Sequence, residues 1–221
     1  MDKKTIKAFC SWSGGKESAL SLYRAKLQGI EINYLLNMAG EDGKFSRSHG
    51  LSSKILRAQA GATGISLVQS FTSWEDYEKK FKNKVFKLKE KGIKAGVFGD
   101  IDLEEHKNWV ERVCREIGIK PILPLWKNDR EKLLEDFIEA GFKAIVVNIC
   151  CDFLDESWLG RQIDREFVQD LKSHGKIDLC GEKGEYHSFV FDGPIFNKRI
   201  KFKPGEKLLR ENRYFLEVRV V

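Results

Sequence analysis

The sequence predicts an α/β fold, in which a parallel sheet covered by helices is followed by a smaller α+β domain. Short apolar runs alternate with amphipathic helical stretches over residues 6–125, a pattern typical of a parallel sheet with helices on both faces. A loop rich in glycine and serine at residues 11–18 separates the first apolar run from the first helical stretch. After residue 125 this alternation changes to apolar strands and glycine-rich turns. We therefore expect a Rossmann-like domain at 1–125 and an α+β domain at 126–221.

The elements of the first domain follow in order along the chain. Strands are predicted at residues 6–10, 32–38, 65–70, 95–98 and 120–125. Helices are predicted at residues 18–28, 51–62, 74–91 and 104–117, each followed closely by a glycine that can adopt the left-handed conformation that ends a helix. In the second domain we expect a helix capped by Asp129 and ending at residue 140, a strand at 143–150, a helix at 164–173 and short strands up to residue 221.

The composition argues against several classes of protein. The 221 residues include 39 Lys and Arg against 33 Asp and Glu, a net charge of +6 that permits an acidic partner without requiring one. Five cysteines form no C-x-x-C pair, which argues against a zinc site and a disulfide framework. No apolar run is long enough for a membrane span. We expect a cytoplasmic protein without membrane association or stable nucleic-acid binding, and a homo-oligomer is left open.

The loop after the first strand has the composition of a phosphate-binding site. Paired glycines let successive N–H groups converge on an anion at a helix N-terminus, while the lysine adds a mobile positive charge and the serines add hydroxyl donors. The spacing differs from that of the Walker loop, which has four residues between its first glycine and its Gly-Lys pair. The residues expected to bind nucleotide here are Ser11, Ser13, Gly14, Gly15, Lys16, Glu17 and Ser18.

Two further segments are expected at the same edge of the sheet, because ligands of open parallel sheets bind outside the carboxyl ends of the strands. Gly99 and Asp100 follow the fourth predicted strand, where the carboxylate would either bind Mg²⁺ or cap a helix. His49 precedes the second predicted helix and would either contact nucleotide or belong to a surface turn. We predict nucleotide binding by His49 and Gly99.

A cluster of polar and aromatic residues lies late in the chain, at residues 181–194. Its two glycines and two glutamates lead into a strand in a way that an ordinary hairpin does not require. Glu182 and Glu185 are candidates for binding a cation or ammonium. Tyr186 together with Trp158 would face a quaternary ammonium group, and His187 completes the predicted substrate-binding set.

These motifs together resemble the diphthine ammonia ligase (diphthamide synthase) family of the PP-loop ATP pyrophosphatase superfamily. The resemblance spans almost the whole chain, and its segments occur in this order: SGGKES at 13–18, GDI at 99–101, PLW at 124–126, WLGR at 158–161 and the stretch at 181–194. Glu17 stands where the superfamily usually has aspartate, and Ser188 stands where the family usually has threonine. The resemblance implies an ATP-binding domain at 1–125 and a substrate-binding domain at 126–221.

The resemblance also implies a reaction, the ATP-dependent amidation of diphthine on translation elongation factor 2. ATP would activate the diphthine carboxylate as an acyl adenylate with loss of pyrophosphate, and ammonium would supply the nitrogen. Lys16 and Mg²⁺, held by Glu17 and Asp100, would stabilise the developing charge. The candidate catalytic residues are Lys16, Asp100, Glu182 and Glu185, with Glu185 as the base that deprotonates ammonium.

Two other functions compete with this expectation. A tRNA-modifying adenylating ligase is favoured by the basic pI of about 9.0 and by the lysine-rich helix predicted at 74–91. A nucleotide-binding sensor without turnover would need the phosphate loop alone, and the cluster at 181–194 argues against it. A sulfur-transferring enzyme is disfavoured because the paired-cysteine spacing is absent.

Overall fold

The first domain is built on a parallel sheet whose strand order places a cleft at its centre. The computed structural model of the protein describes residues 5–41, 46, 49–175 and 177–221. Five parallel strands are arranged in the order β3-β2-β1-β4-β5. Their bounds are Lys7–Ser11 for β1, Glu31–Ala39 for β2, Ser66–Phe71 for β3, Ala95–Val97 for β4 and Lys120–Ile122 for β5. The order reverses between β1 and β4, so their carboxyl ends diverge and leave room for a ligand.

Helices cover both faces of this sheet, as the alternating sequence predicts. Their bounds are Lys16–Leu27 for α1, Ser53–Thr63 for α2, Tyr77–Glu90 for α3 and Glu104–Ile117 for α4. Apolar residues of α3 and α4 form one core cluster against the sheet, which includes Phe9, Phe81 and Val113. Those of α1 and α2 belong to a second cluster, which continues into the C-terminal part of the chain.

The C-terminal part forms an antiparallel sheet of four strands in the order β7-β6-β9-β8. Its strands are β6 at Lys143–Cys150, β7 at Tyr186–Asp192, β8 at Phe202–Arg210 and β9 at Arg213–Val220. Two helices accompany it, α5 at Arg130–Glu139 and α6 at Arg165–His174, and both begin at an aspartate whose side chain accepts a backbone hydrogen bond. The prediction of a parallel sheet followed by an α+β region is therefore confirmed. The domain boundary predicted between residues 125 and 126 falls in the connection from β5 to α5 and stays a prediction.

The two sheets are joined at the phosphate loop by a fully buried glutamine. Gln59 of α2 donates from Nε2 to the carbonyl oxygens of Gly14 at 2.9 Å and Val190 at 2.7 Å. Its Oε1 accepts from the indole Nε1 of Trp12 at 3.0 Å. The backbone N–H of Val190 also donates to Gly14 at 3.1 Å, so β7 is bonded directly to the loop. One side chain thus fixes the loop, α2 and the C-terminal sheet relative to one another.

The predicted element boundaries differ from the observed ones in two instructive places. α3 begins at Tyr77 rather than at residue 74, because Asp76 accepts hydrogen bonds from Thr72 Oγ1 and from the backbone N–H of Ser73 and so closes a turn. α1 begins two residues earlier than predicted, at Lys16, immediately after the loop glycines. Among the described residues, no helix is both long and apolar enough to cross a membrane.

Replacing Gln59 by alanine is expected to destabilise the protein by about 3 kcal/mol, because Val190 O and Trp12 Nε1 lose their hydrogen-bond partner inside the core. The measurement is urea unfolding followed by circular dichroism. Gln169→Ala is the matched control, since Gln169 is exposed on α6, and its effect should stay within about 0.5 kcal/mol. An equal effect of the two substitutions would contradict the role assigned to Gln59.

Candidate active site

A cavity of about 300 Å³ lies between the phosphate loop and the segment that leads into β7. The loop contributes one wall, the carboxyl end of β4 contributes a second, and residues 180–187 contribute the third. The cavity brings together eleven of the predicted site residues: Ser11, Ser13, Lys16, Glu17, Ser18, His49, Gly99, Asp100, Glu182, Tyr186 and His187. Segments more than 150 residues apart in sequence therefore form one site.

The phosphate loop is held open by its own serines and glycines. Gly14 has a φ of +86°, which a residue with a side chain rarely adopts, and Gly15 is the N-cap of α1. The hydroxyl of Ser18 donates to the carbonyl oxygen of Gly15 at 2.9 Å, and Ser13 Oγ lies 3.2 Å from Ser18 Oγ. The N-terminus of α1 consequently faces the cavity, where its backbone N–H groups and helix dipole favour an anion.

Two neutral histidines close one side of the loop. The ring of His49 lies so near Gly15 that a β-carbon at position 15 would be 2.2 Å from its Nε2 atom. It packs against His187 with ring centroids 4.6 Å apart. Burial and the positive charges of Lys16 and Arg213 lower the pKa of His49 to about 3, and burial and the neighbouring His49 lower the pKa of His187 well below its usual value. The Nδ1 atom of His49 is buried and has no hydrogen-bond partner among the described residues.

Lys16 is fixed rather than mobile, which corrects the expectation from the sequence. Its ammonium group donates to the carbonyl oxygen of Cys180 at 2.6 Å and forms an ion pair with Glu17 at 2.5 Å. It also lies over the ring of Tyr186, 4.3 Å from the centroid. Burial by itself lowers the pKa of Lys16, but the charge of Glu17 and the other surrounding groups outweigh it and hold the pKa above its ordinary value. The lysine is charged and held between the two sheets.

Acidic side chains gather on the opposite wall. Glu182 is partly buried, and the loss of solvent together with the charge of Glu17 raises its pKa to about 7. Asp100 lies at the end of β4, and its Oδ1 is 3.2 Å from Nδ1 of His106, whose pKa it raises. His106 was not predicted from the sequence, where it is one residue of a helical surface pattern.

Whether this site suits Mg²⁺ depends on the phosphate oxygens that a bound nucleotide supplies. In the described ranges, no three side chains of His, Cys, Asp or Glu lie close enough to hold a metal ion. Mg²⁺ usually keeps several waters and binds one or two carboxylates together with substrate phosphates. Asp100, which is 21 % exposed and lines the cavity, fits that requirement, whereas Glu17 is occupied by its ion pair with Lys16.

Four predicted site residues are not part of the cavity lining: Gly14, Gly15, Trp158 and Glu185. Both carboxylate oxygens of the buried Glu185 accept backbone hydrogen bonds, from Asp178 and Lys183, each at 3.0 Å. Glu185 therefore shapes the loop and is buried away from the cavity. Trp158 packs on Phe167, which separates it from Tyr186, and its ring is covered by the guanidinium of Arg161. Trp158 and Tyr186 do not form the expected cage around a quaternary ammonium group.

A second cavity of about 430 Å³ adjoins the first and was not predicted. The two cavities share Ser11, Ser13, His49, Asp100 and His106. The other lining residues of the second cavity are mostly apolar and aromatic and come from the end of β2, from the turn before α3 and from α3 and α4, among them Met38, Trp74, Tyr77, Phe81 and Trp109. Aromatic residues of a helix pair are ordinarily interpreted as core, so only the tertiary structure shows that they face a cavity.

A charged network fixes one aromatic wall of this second cavity. The indole Nε1 of Trp109 donates to Glu78 at 2.9 Å. Glu78 is itself held by Arg112, with one contact of 2.9 Å and another of 2.5 Å, and by Lys82 at 2.6 Å. These partners, Arg112 foremost, hold the pKa of Glu78 well below its usual range, so it accepts from Trp109 as a carboxylate.

Family models describe both parts of the chain. The diphthamide synthase N-terminal domain matches residues 6–121, and the diphthamide synthase C-terminal domain matches residues 129–221. The chain belongs to the diphthamide synthase family. The family and the enzyme class predicted from the sequence, a ligase that forms a carbon–nitrogen bond, are thereby confirmed.

Curated relatives of this diphthamide synthase family member are named diphthine–ammonia ligase. The protein from Schizosaccharomyces pombe is 30 % identical over 209 residues, which are 85 % of this chain and 34 % of that protein. The protein from Rattus norvegicus is 25 % identical over 230 residues, which are 93 % of this chain and 86 % of that protein. The chain thus spans about a third of the fission yeast relative and most of the rat relative.

Among solved structures, one is described as a predicted subunit of tRNA methyltransferase from Methanocaldococcus jannaschii. It is 19 % identical in sequence and has a TM-score of 0.45, and the match covers 88 % of this chain and all of that chain. The fold assignment made above rests on the observed strand order instead.

Glu78→Ala is expected to raise the KM for ATP about fivefold with little change in kcat, because an unanchored Trp109 packs less well against a ligand in the second cavity. The measurement is a steady-state titration with ATP. Glu116→Ala is the matched control, since Glu116 binds the same Arg112 and Lys82 but does not contact Trp109. Equal KM values for the two variants would show that the network does not position this wall.

Proposed function

We propose that this protein amidates diphthine on translation elongation factor 2, using ATP and ammonium and releasing AMP and pyrophosphate. The observation that carries the proposal is the single cavity formed by the phosphate loop and by residues 180–187 of the C-terminal part. A nucleotide bound by the loop would present its α-phosphate to an acceptor held by the opposite wall. Membership of the diphthamide synthase family supports the diphthine carboxylate as the acceptor.

The adjoining aromatic cavity is suited to the nucleoside. The pairing of β1 with β2 ends where the backbone N–H of Trp12 donates to the carbonyl oxygen of Leu36, whereas β2 continues to Ala39. The carbonyl oxygen of Ala39 accepts from the N–H of Thr72, so Ala39 faces β3. Because successive residues of a strand face opposite neighbours, the backbone of Met38 faces the other side, beyond the end of β1. A nucleobase between Met38 and the aromatic wall would leave the phosphates at the N-terminus of α1.

The reaction takes place in two steps. An oxygen of the diphthine carboxylate attacks the α-phosphorus of ATP, and the bond from that phosphorus to the bridging oxygen breaks as pyrophosphate leaves. Ammonia then attacks the acyl carbon, and AMP leaves with the electron pair of the acyl–oxygen bond. The N–H groups at the start of α1 and the buried charge of Lys16 stabilise negative charge on the phosphates. Mg²⁺ carried with the nucleotide and held by Asp100 would neutralise the leaving pyrophosphate.

We assign the base for ammonium to Glu182 rather than to Glu185. Glu182 lines the cavity, and its pKa of about 7 makes it an effective proton acceptor near neutral pH. Both oxygens of Glu185 are bound to backbone N–H groups. Ammonium must lose a proton before it attacks, so the second step requires an unprotonated carboxylate at this wall.

The proposal is tested by incubating the protein with ATP, ammonium and elongation factor 2 that carries diphthine. The expected products are AMP and pyrophosphate in equal amounts with the amide on the factor, measured by chromatography and mass spectrometry. Omission of ammonium should stop amide formation. Transfer of AMP to a tRNA, with no reaction on the factor, would instead support a tRNA-modifying ligase.

The rate of amide formation is expected to rise as the pH increases through about 7, since Glu182 accepts a proton only when ionised. Glu182→Gln should remove the change of slope near pH 7 and slow amidation about 100-fold, while ATP–pyrophosphate exchange continues. Glu185→Gln is the control, and it should keep the pH dependence because Glu185 holds the loop. A Glu182→Gln enzyme with the wild-type pH profile would contradict the assignment.

A further inference from the structure

Ion pairs hold some charged side chains on the helices of this protein, whereas the basic side chains of one face form none among the described residues. On α3 and α4, Glu78 and Glu116 pair with Lys82 and Arg112, and on α5 Lys132 pairs with Asp136. The exposed face of α2 and residues 198–203, which lead into β8, lack such pairs among the described residues. Within the part of the chain that the structure describes, no ion pair is formed by the basic residues of this face: Lys54, Arg57, Lys198, Arg199, Lys201 and Lys203. We call these six residues the basic strip.

Two surface hollows lie along the basic strip. One of about 460 Å³ and one of about 590 Å³ share Arg199, Ile200 and Lys201 as lining residues. No acidic side chain lines either hollow, and apolar groups such as Ile145 and Val220 contribute to their walls. The guanidinium of Arg199 lies over the ring of Phe191, 5.0 Å from the centroid, which holds that charge at the surface. The hollows therefore combine apolar lining with an uncompensated basic rim.

The position of the strip relative to the active site indicates the size of its partner. α2 begins four residues after His49 and carries Lys54 and Arg57 in its first half, beside the site. The far end of the strip follows β7, which has seven residues and runs about 20 Å away from Tyr186 at the cavity. A small substrate cannot contact both ends, whereas a macromolecule whose reactive group enters the cavity can.

The chemistry of the hollows distinguishes between two kinds of acidic macromolecule. Single-stranded nucleic acids bind where basic grooves carry aromatic side chains on which the bases stack. Among the described residues, the aromatic side chain that lines the smaller hollow is Phe202, which is half-buried against Phe189 and Phe191, and the larger hollow is lined by none. Apolar lining inside a basic rim instead matches a protein segment that carries carboxylates and apolar side chains together.

We propose that the basic strip is the docking surface for an acidic segment of the protein substrate, which anchors the substrate while its modified residue enters the cavity. This proposal rests on the proposed function for the identity of the substrate. Since the strip lies outside the cavity, docking contributes affinity and association rate rather than chemistry.

Direct binding tests this proposal. The double variants Lys198→Glu/Lys201→Glu and Lys54→Glu/Arg57→Glu each change the net charge by −4. Each is expected to raise the Kd for diphthine-bearing elongation factor 2 about tenfold at low salt, and to weaken the dependence of Kd on salt. The affinity for ATP should not change. The measurement is biolayer interferometry with the immobilised factor, which requires no turnover.

Lys79→Glu/Lys87→Glu is the matched control. Both lysines are exposed and form no ion pair among the described residues, they lie on α3 at the other face of the sheet, and the charge change is the same. An equal loss of affinity in the control would show that the effect depends only on net charge and would overturn the proposal.

Unchanged affinity of the strip variants for the factor would also overturn it. If the strip variants lost binding to a stem–loop RNA but kept their affinity for the factor, the strip would be a nucleic-acid surface and the proposal would be wrong.

The same samples separate this proposal from the proposed function. If wild-type protein binds the factor through the strip but forms neither AMP nor amide, docking is supported and the reaction is wrong. If wild-type protein forms the amide and the strip variants bind and react normally, the reaction stands and the docking surface is wrong.

Discussion

The hydrogen bonds between the phosphate loop and β7 are the constraint on which the rest of this structure depends. Gly14 is bonded to Val190 and to Gln59, and the backbone N–H of Lys16 donates to Ser188 Oγ at 3.1 Å. The phosphate loop and β7, which form different walls of the cavity, thus belong to one buried hydrogen-bond network. An unpaired carbonyl or N–H at this depth would cost about 1–3 kcal/mol. The two walls of the cavity are consequently fixed relative to each other, without domain closure.

Electrostatics in the cavity follow from how its charges are compensated. Lys16 is buried, yet it stays charged because Glu17, a carbonyl oxygen and an aromatic face surround it. Burial foremost, together with the same positive charge and that of Arg213, lowers the pKa of His49 and His187, so that the histidines offer neutral ring nitrogens rather than further cations. On the other wall the negative charge of Glu17 disfavours ionisation of Glu182. The carboxylate that accepts a proton, Glu182, and the buried cation that stabilises anions, Lys16, therefore line the same cavity.

Much of the fold and part of the site could be predicted because they depend on local pattern. Strand and helix periodicity, helix-ending glycines and the spacing of the loop identified the parallel sheet and most of the cavity wall, from Ser13 to Asp100. Glu185 and Trp158 were misplaced for one reason: the sequence shows that a glutamate or tryptophan is present, but not what its polar atoms or ring face contact. Gln59 and His106 were missed because an isolated glutamine or histidine on a helix gives no local signal.

The sequence by itself determined the class of fold, the phosphate loop and the family, since these depend on residues that are neighbours along the chain or on motifs of fixed spacing. Only the tertiary structure decided that Lys16 is buried, that Glu182 rather than Glu185 faces the cavity, and that Trp109 forms a wall. It also showed that the six residues of the basic strip, on α2 and at 198–203, form no ion pair among the described residues. The physical reason is common to all of these: burial, ion pairing and pKa are set by groups that fold together from distant parts of the chain.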